Sequence, residues 1–392
     1  MTAKKYLLIV GGATASGKTA LALALARQFN TVILSADSRQ FYREMSIGTA
    51  KPDAETLAAV PHYFINSLSI DQSYSAGDFE RDALELLQRL FRERDTVVVA
   101  GGSGLFIKAL CEGFDDFPEV SEAARQRVQE WYASEGLAGL QQRLREADPV
   151  YYQQVDKDNP QRLRRALLVC ESTGRPYTDF RRGHAVERPF ESIYLMPHWP
   201  RDTLYARINQ RVADMVAQGL VAEARSLFPK EHLNALQTVG YQELFDHFRG
   251  QTDLDTAIAA IAQHTRNYAK RQLTWFRNQG SWKRFPGGDT DTCIRYIEWL
   301  IRHGLRLQSE RHKGSDGLLT ETLSFVREET VIASVQCDQT RRSVTVHIRD
   351  NPDFPEARTF LLHECLYRYD DKPIFVAESG QKLTRLLNLH KN

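Results

Sequence analysis

The run Gly12-Ala13-Thr14-Ala15-Ser16-Gly17-Lys18-Thr19 constrains this chain more than any other feature. It fits G-x-x-x-x-G-K-[ST], and it sits in the context that pattern needs. A short β-rich run, residues 5–10, enters the loop, and TALALALARQF (19–29) is a strong helix former that leaves it. Such a strand–loop–helix aims backbone N–H groups and the positive end of a helix at an anion. Lys18 adds a point charge for the terminal phosphate, and Thr19 offers its hydroxyl to Mg²⁺ or to a phosphate oxygen. The motif predicts a di- or triphosphate site over Gly12–Thr19 in an α/β fold, and it leaves open which bond breaks.

The rest of the chain extends that fold. Thr31–Leu34 and Thr96–Ala100 read as further strands, Asp82–Arg94 reads as a helix, and Ser192–Met196 resumes the strand pattern. Strands alternating with helices imply a parallel sheet covered on both faces. Between about Pro118 and Pro189 the strand signal disappears. There Asn159-Pro160 reads as an N-cap and first helical residue, and Gly174 as the residue that ends the same helix. Further helices are predicted from Asp202 to Gln218 and through 221–228, 241–249 and 254–279. Residues 304–317 read as a linker. Beyond them, Thr330–Cys337, Ser343–Arg349, Thr359–Tyr367 and Pro373–Ala377 suggest a small antiparallel module closed by a helix near 381–390. The predicted organisation is a phosphate-loop core (1–117 and 190–303), a helical insertion (118–189) and a C-terminal β-rich α+β module (318–392).

Composition narrows the class. At 392 residues, 42% hydrophobic and 26% charged, the chain is an ordinary globular protein and neither disordered nor fibrous. No apolar run approaches the roughly 18 residues of a membrane span. Tyr6–Val10 is too short for the apolar core of a secretion signal. The five cysteines contain no C-x-x-C pair, so reduced thiols in a cytoplasmic protein are expected, with neither disulfides nor a zinc site. A monomer is the expected state.

Phosphate-loop NTPases normally hold Mg²⁺ with an acidic residue on a later strand. The corresponding run here, TVVVA, passes into Gly101-Gly102-Ser103-Gly104 without one. The carboxylate in the right neighbourhood is Asp37, at the end of the second strand, where open α/β sheets place their ligand crevice. Ser38, Arg39 and Gln40 follow it, side chains suited to the edge of a base. On the residues alone, an Asp at a strand end is as often a simple turn or helix cap.

Seven segments then resemble, in order, the motifs of the tRNA dimethylallyltransferases. They are GGATASGKT (11–19), ADSRQFYREMSIGTAKP (36–52), YSAGDF (74–79), GGSGLFIKAL (101–110), NPQRLRRAL (159–167), ALQTVGYQEL (235–244) and TRNYAKRQLTWFR (265–277). The resemblance covers about residues 1–300. It implies that the loop takes the diphosphate of dimethylallyl diphosphate, and that the substrate is the adenosine at position 37 of tRNA, next to the anticodon. Lys18 and Thr19 would stabilise the departing diphosphate with Mg²⁺, and Arg211 matches a second diphosphate contact. Arg207 shares its helix face. Asp37 matches the general base for the adenine N6, and Ser38 and Gln40 match residues that hold the flipped base. Ser103 stands where the family usually has Thr, which keeps the hydroxyl. His62 matches one of a pair of histidines; the second is absent, and no role follows.

Taken whole, a charge of +1 discourages a nucleic-acid partner. Resolved along the chain, it does not. Between Thr256 and Gly288 stand six Lys/Arg and no Asp or Glu, interleaved with Tyr268, Trp275, Phe276, Trp282 and Phe285. That mixture suits phosphate contact and base stacking, and equally a basic helix with aromatic core residues. Residues 161–188 hold seven Arg against three acids. There Gln161, Arg162, Leu163, Arg164 and Arg165 match a family segment that contacts tRNA. Residues 306–392 are balanced, and His363-Glu364-Cys365 is not read as a site. Two other readings remain at this level: a small-molecule or nucleoside kinase, and an RNA-binding protein that only senses a nucleotide.

Overall fold

The computed structural model describes residues 4–113, 115, 117–181, 186–313, 319–340, 343–369, 372 and 374–377. The helix expected near 381–390 lies outside them. The chain divides into two compact units, Met1–Leu110 with Arg188–Asn392, and Cys111–Glu187.

The first unit opens with β1 (Tyr6–Val10), α1 (Lys18–Gln28), β2 (Ile33–Ser35), α2 (Ala54–Ala59), β3 (His62–Tyr63), α3 (Ala76–Leu90), β4 (Thr96–Ala100) and α4 (Gly104–Glu112). All five residues of β1 are buried, as expected of a strand covered on both faces.

The second unit carries α5 (Glu122–Ala147), α6 (Pro149–Gln154) and α7 (Pro160–Thr173). Gly136, at φ 62°, breaks α5 into two helical segments. Asn159 caps α7 by accepting the Arg162 N–H, Pro160 opens the helix, and Gly174 ends it at φ 67°, the signals visible in the sequence. Val128, Leu140, Leu144, Leu163 and Leu167 form this unit's core.

The chain then returns to the first unit with β5 (Glu191–His198), α8 (Arg201–Ala217), α9 (Leu220–Leu227), α10 (Gln242–Phe248), α11 (Leu254–Asn278), β6 (Lys283–Pro286) and α12 (Thr290–His303). Six parallel strands pair in the order β3-β2-β4-β1-β5-β6. The α/β fold with a parallel sheet is therefore as expected. β1 lies at the middle, and its loop opens at the carboxyl ends of the strands, beside those of β2 and β4.

The last segment is β7 (Arg306–Lys313), β8 (Leu319–Arg327), β9 (Thr330–Gln339), β10 (Val344–Arg349), α13 (Pro355–Arg368) and β11 (Ile374–Val376). They form a second sheet in the order β11-β10-β9-β8-β7. Three local expectations are corrected here. The module is not wholly antiparallel, because β11 runs parallel to β10. Within the expected linker, Arg306–Lys313 is strand instead, because β7 pairs antiparallel with β8 from Arg306↔Val326 to Lys313↔Leu319. Thr359–Tyr367 is not a strand: Ala357, Leu361, Glu364, Cys365 and Arg368 are buried at helical spacing along α13.

One apolar core runs through both sheets of this unit. It joins Leu8, Leu25, Val98 and Leu195 to Tyr296 and Leu300 of α12, and on to Phe325, Val335 and Leu361. The basic–aromatic strip is corrected in the same place. Phe276, Trp282, Lys283, Arg284 and Phe285 are buried, so they offer no surface to RNA. Glu364, fully buried on α13, answers the charge on β6. It accepts the Arg284 N–H at 2.6 Å and the guanidiniums of Arg284 and Arg368. Arg368 also bonds Glu321 and the Trp282 carbonyl. Buried charges persist only when matched in this way.

Candidate active site

The phosphate loop is held open by contacts that consume its outward-facing polar groups. Gln272 on α11 accepts the Thr14 N–H at 2.9 Å and donates to the Gly102 carbonyl at 2.9 Å. The Trp199 indole N–H donates to the Ser16 carbonyl, and Arg207 Nε to the Ala15 carbonyl, both at 2.9 Å. Beneath the loop, the Trp282 ring lies so close to Gly11 that a Cβ there would come within 2.4 Å of it. Gly17 stands at φ 91° where α1 begins. Ala13 is fully buried against Leu204, Ile208 and Ala269, so it acts through its backbone.

Lys18 lies under this arch. Its Nζ donates to the Ala13 carbonyl at 2.6 Å. Burial, with Arg211 nearby, lowers its pKa to about 8, against the opposing pull of Asp37. Burial also lowers the Arg211 pKa, again opposed by Asp37. An incoming polyanion would relieve both cations.

Asp37 extends from the end of β2 toward the same space. One carboxylate oxygen accepts the Arg39 N–H at 3.1 Å, which tightens the turn. Ser103, at the start of α4, accepts the Ser38 N–H at 3.0 Å and donates to the Ser38 hydroxyl at 3.2 Å. Gln40 is fixed by Ser35 at 3.0 Å and by the Thr49 and Ala50 carbonyls.

These parts enclose one open cavity of about 870 Å³. The loop residues Thr14, Ala15, Ser16, Gly17, Lys18 and Thr19, the segment Asp37–Gln40, and Arg211 all line it. So do Arg207, Tyr268, Arg271 and Gln272. Tyr268 keeps its proton, since burial and the Asp37 charge push its pKa up to about 12. The two arginines separate here. Arg207 is occupied with the Ala15 carbonyl and stacks over Trp199 at 4.6 Å. Arg211, one turn on, makes no hydrogen bond or ion pair among the described residues.

The tRNA segment expected at 161–165 lies in the second unit. Gln161, Arg162 and Arg165 are exposed there. Arg164 bonds Gln129 and lies over Tyr132, and Arg165 lies over Phe117. Leu163 is corrected: it is fully buried between α5 and α7, where it holds the helix and cannot reach a ligand.

Gln272 and Trp199 went unassigned in the sequence. Gln272 carries a signal, because Tyr268, Gln272 and Trp275 recur at i, i+4, i+7 on α11, and a polar residue in that stripe marks a hydrogen-bonding need. Trp199 carries none. Among the described residues no three His, Cys, Asp or Glu converge as metal ligands.

A phosphate loop facing a strand-end carboxylate across a large basic cavity defines a phosphate-loop transferase or kinase. Comparison with known proteins decides between these classes. The IPP transferase family model matches residues 40–279. A tRNA dimethylallyltransferase of Christiangramia forsetii is 49% identical over 297 residues, 76% of this chain and 98% of that protein. Another, from Cytophaga hutchinsonii, is 45% identical over 294 residues, 75% of this chain and 97% of that one. The crystal structure of a tRNA isopentenylpyrophosphate transferase from Bacillus halodurans aligns with a TM-score of 0.57 at 33% identity, covering 76% of this chain and 96% of its own. A eukaryotic dimethylallyltransferase acting on tRNA shares the fold, with a TM-score of 0.63 at 17% identity over 94% of this chain and 99% of its own. The chain belongs to the IPP transferase family.

Proposed function

We propose that this protein transfers the dimethylallyl group of dimethylallyl diphosphate to N6 of adenosine 37 in tRNA and releases diphosphate. The observation that carries this reading is the cavity that joins an anion-binding loop to Asp37 at the carboxyl end of β2, with no acidic residue on β4. A kinase would be expected to carry an acidic metal ligand on β4, which instead ends at Ala100 and passes into Gly101-Gly102.

In this reading the loop N–H groups, Lys18 and Arg211 bind the diphosphate and take up the negative charge that grows as the allylic C–O bond breaks. The N6 lone pair forms the new C–N bond, and Asp37 accepts the proton that N6 loses. Exocyclic amines are poor nucleophiles, so Ser38, Gln40 and Ser103 contribute chiefly by orientation. The target base must be splayed from the anticodon loop to reach Asp37. The exposed arginines Arg162 and Arg165, with Arg164, grip RNA phosphates.

Mg²⁺ fits this site only as an ion shared with the substrate. Thr19 would offer one hydroxyl, with diphosphate oxygens and waters as the other ligands, a mode Mg²⁺ favours over an all-protein cage. When bound it would neutralise diphosphate charge. The working form is a cytoplasmic monomer. No described helix is long and apolar enough to cross a membrane, and all five cysteines are buried thiols outside any disulfide.

The test incubates the protein with unmodified tRNA and labelled dimethylallyl diphosphate, with ATP in a parallel reaction. Label is expected in the RNA and ATP untouched. ATP turnover without label transfer would overturn the reading.

A further inference from the structure

The wall of the cavity opposite the phosphate loop is organised by a residue outside the motifs. Glu223, on α9, accepts three consecutive backbone N–H groups, from Ser46 at 3.0 Å, Ile47 at 2.8 Å and Gly48 at 2.9 Å. Its carboxylate also accepts the Tyr241 hydroxyl at 2.7 Å. Gly48 lies flat on the Tyr241 ring, where a Cβ would come within 2.6 Å. Residues 46–50 are therefore pinned to α9 and to Tyr241.

The same segment supplies the acceptors that hold Gln40. Gln40 Nε2 donates to the Thr49 carbonyl at 3.3 Å and to the Ala50 carbonyl at 3.4 Å. From the other side Lys51 bonds the Tyr42 carbonyl and reaches Asn66 Oδ1 at 2.7 Å. A carboxylate thus collects the N–H groups of this loop, while the ammonium of Lys51, at its end, ties it back to Tyr42 and Asn66. Gly48, Thr49 and Ala50 line the cavity beside Asp37 and Gln40.

We infer that Glu223 is a positioning residue for the acceptor base: it sets the loop 46–50, the loop sets Gln40, and Gln40 orients the purine against Asp37. The inference rests on the prenyl-transfer reading above. Glu223 is placed to act on RNA and not on the diphosphate, because none of its four partners belongs to the phosphate loop. A neutral glutamine in its place could accept through one oxygen only and would turn an N–H₂ toward backbone N–H groups.

The test compares wild type, Glu223→Gln and Tyr241→Phe on an anticodon stem-loop RNA, and measures inorganic diphosphate binding by calorimetry. For Glu223→Gln, kcat/KM for RNA is expected to fall about 10–100-fold, the scale of a small misplacement of reacting groups. Its diphosphate Kd should stay within about threefold of wild type, since no charge-assisted bond to the anion is lost. Tyr241→Phe removes one bond of the four and should lose about threefold on RNA alone. Wild-type RNA efficiency in Glu223→Gln, or equal losses toward RNA and diphosphate, would overturn the inference. Where Glu223→Gln fails to fold, an unchanged Tyr241→Phe would overturn it. Absence of transfer by the wild type is a separate outcome, and it would overturn the prenyl-transfer reading itself.

Discussion

Gln272 and Thr14, 258 positions apart in sequence, are joined by a hydrogen bond of 2.9 Å from the loop N–H to the side-chain carbonyl. The other end of the same amide holds Gly102, so a single side chain spans the two glycine-containing loops of the site. Replacing Gln272 with Ala strands both backbone groups where the side chain is only 7% exposed. A cost of about 1–3 kcal/mol is expected, seen as a lower melting temperature and roughly tenfold weaker diphosphate binding by calorimetry. An unchanged affinity would show that the loop holds its shape without this strut.

Lys18 makes diphosphate binding depend on pH in a defined direction. Its pKa in the free protein is lowered to about 8 by burial and Arg211. Bound diphosphate favours the ammonium and raises that value. Affinity is therefore greatest below about pH 8 and falls as pH rises above it, by up to roughly tenfold per unit. Calorimetric titrations of diphosphate between pH 6 and 10 check this. Affinity that improves with rising pH would contradict it.

The buried charges of the C-terminal sheet predict an acid limit to stability. Burial alone would raise the Glu321 carboxyl, but Arg368, the Tyr369 hydroxyl and Arg311 outweigh it and hold the pKa at about 2. The folded value lies below the unfolded one, so the stabilisation is present above about pH 4.5 and is lost as pH falls toward 2. Denaturant melts across that range should show the loss. Independently, Glu364→Ala leaves Arg284 and Arg368 without their shared carboxylate and should cost about 3–5 kcal/mol. A melting temperature unmoved by that substitution would contradict the account of how β6 and α13 are joined.

Much of this architecture is legible in the sequence, and the failures have physical causes. The phosphate loop declares itself because anion binding needs glycines, a lysine and a helix start at fixed spacing. Asn159, Pro160 and Gly174 declare α7 because caps are local chemistry. Lys283 and Arg284 mislead because charge ordinarily marks solvent. Here the counter-charge is Glu364, 80 positions beyond Arg284, which no local pattern reveals. Thr359–Tyr367 misleads because its apolar run is short, and only its wider spacing with Ala357 and Arg368 marks a helix. Leu163 stands in a basic motif, yet it points inward because a helix surrounded by arginines still needs a buried side.

The arginines of α7 should govern RNA affinity through salt. Replacing Arg162, Arg164 and Arg165 together with Ala removes up to three phosphate contacts. The slope of log affinity against log salt should then flatten by about 2. Filter binding of tRNA across a salt series measures it, and an unchanged slope would remove this segment from the RNA surface.

The central claim is that one cavity binds the allylic diphosphate and presents Asp37 to the base as the proton acceptor. Single-turnover transfer from labelled dimethylallyl diphosphate to tRNA, followed for wild type and Asp37→Asn, tests it most directly. The variant is expected to bind diphosphate at least as tightly as the wild type, since a like charge beside the anion is removed, and to transfer at least about a hundredfold more slowly, the scale of a lost general base. Transfer by Asp37→Asn at the wild-type rate would contradict the account.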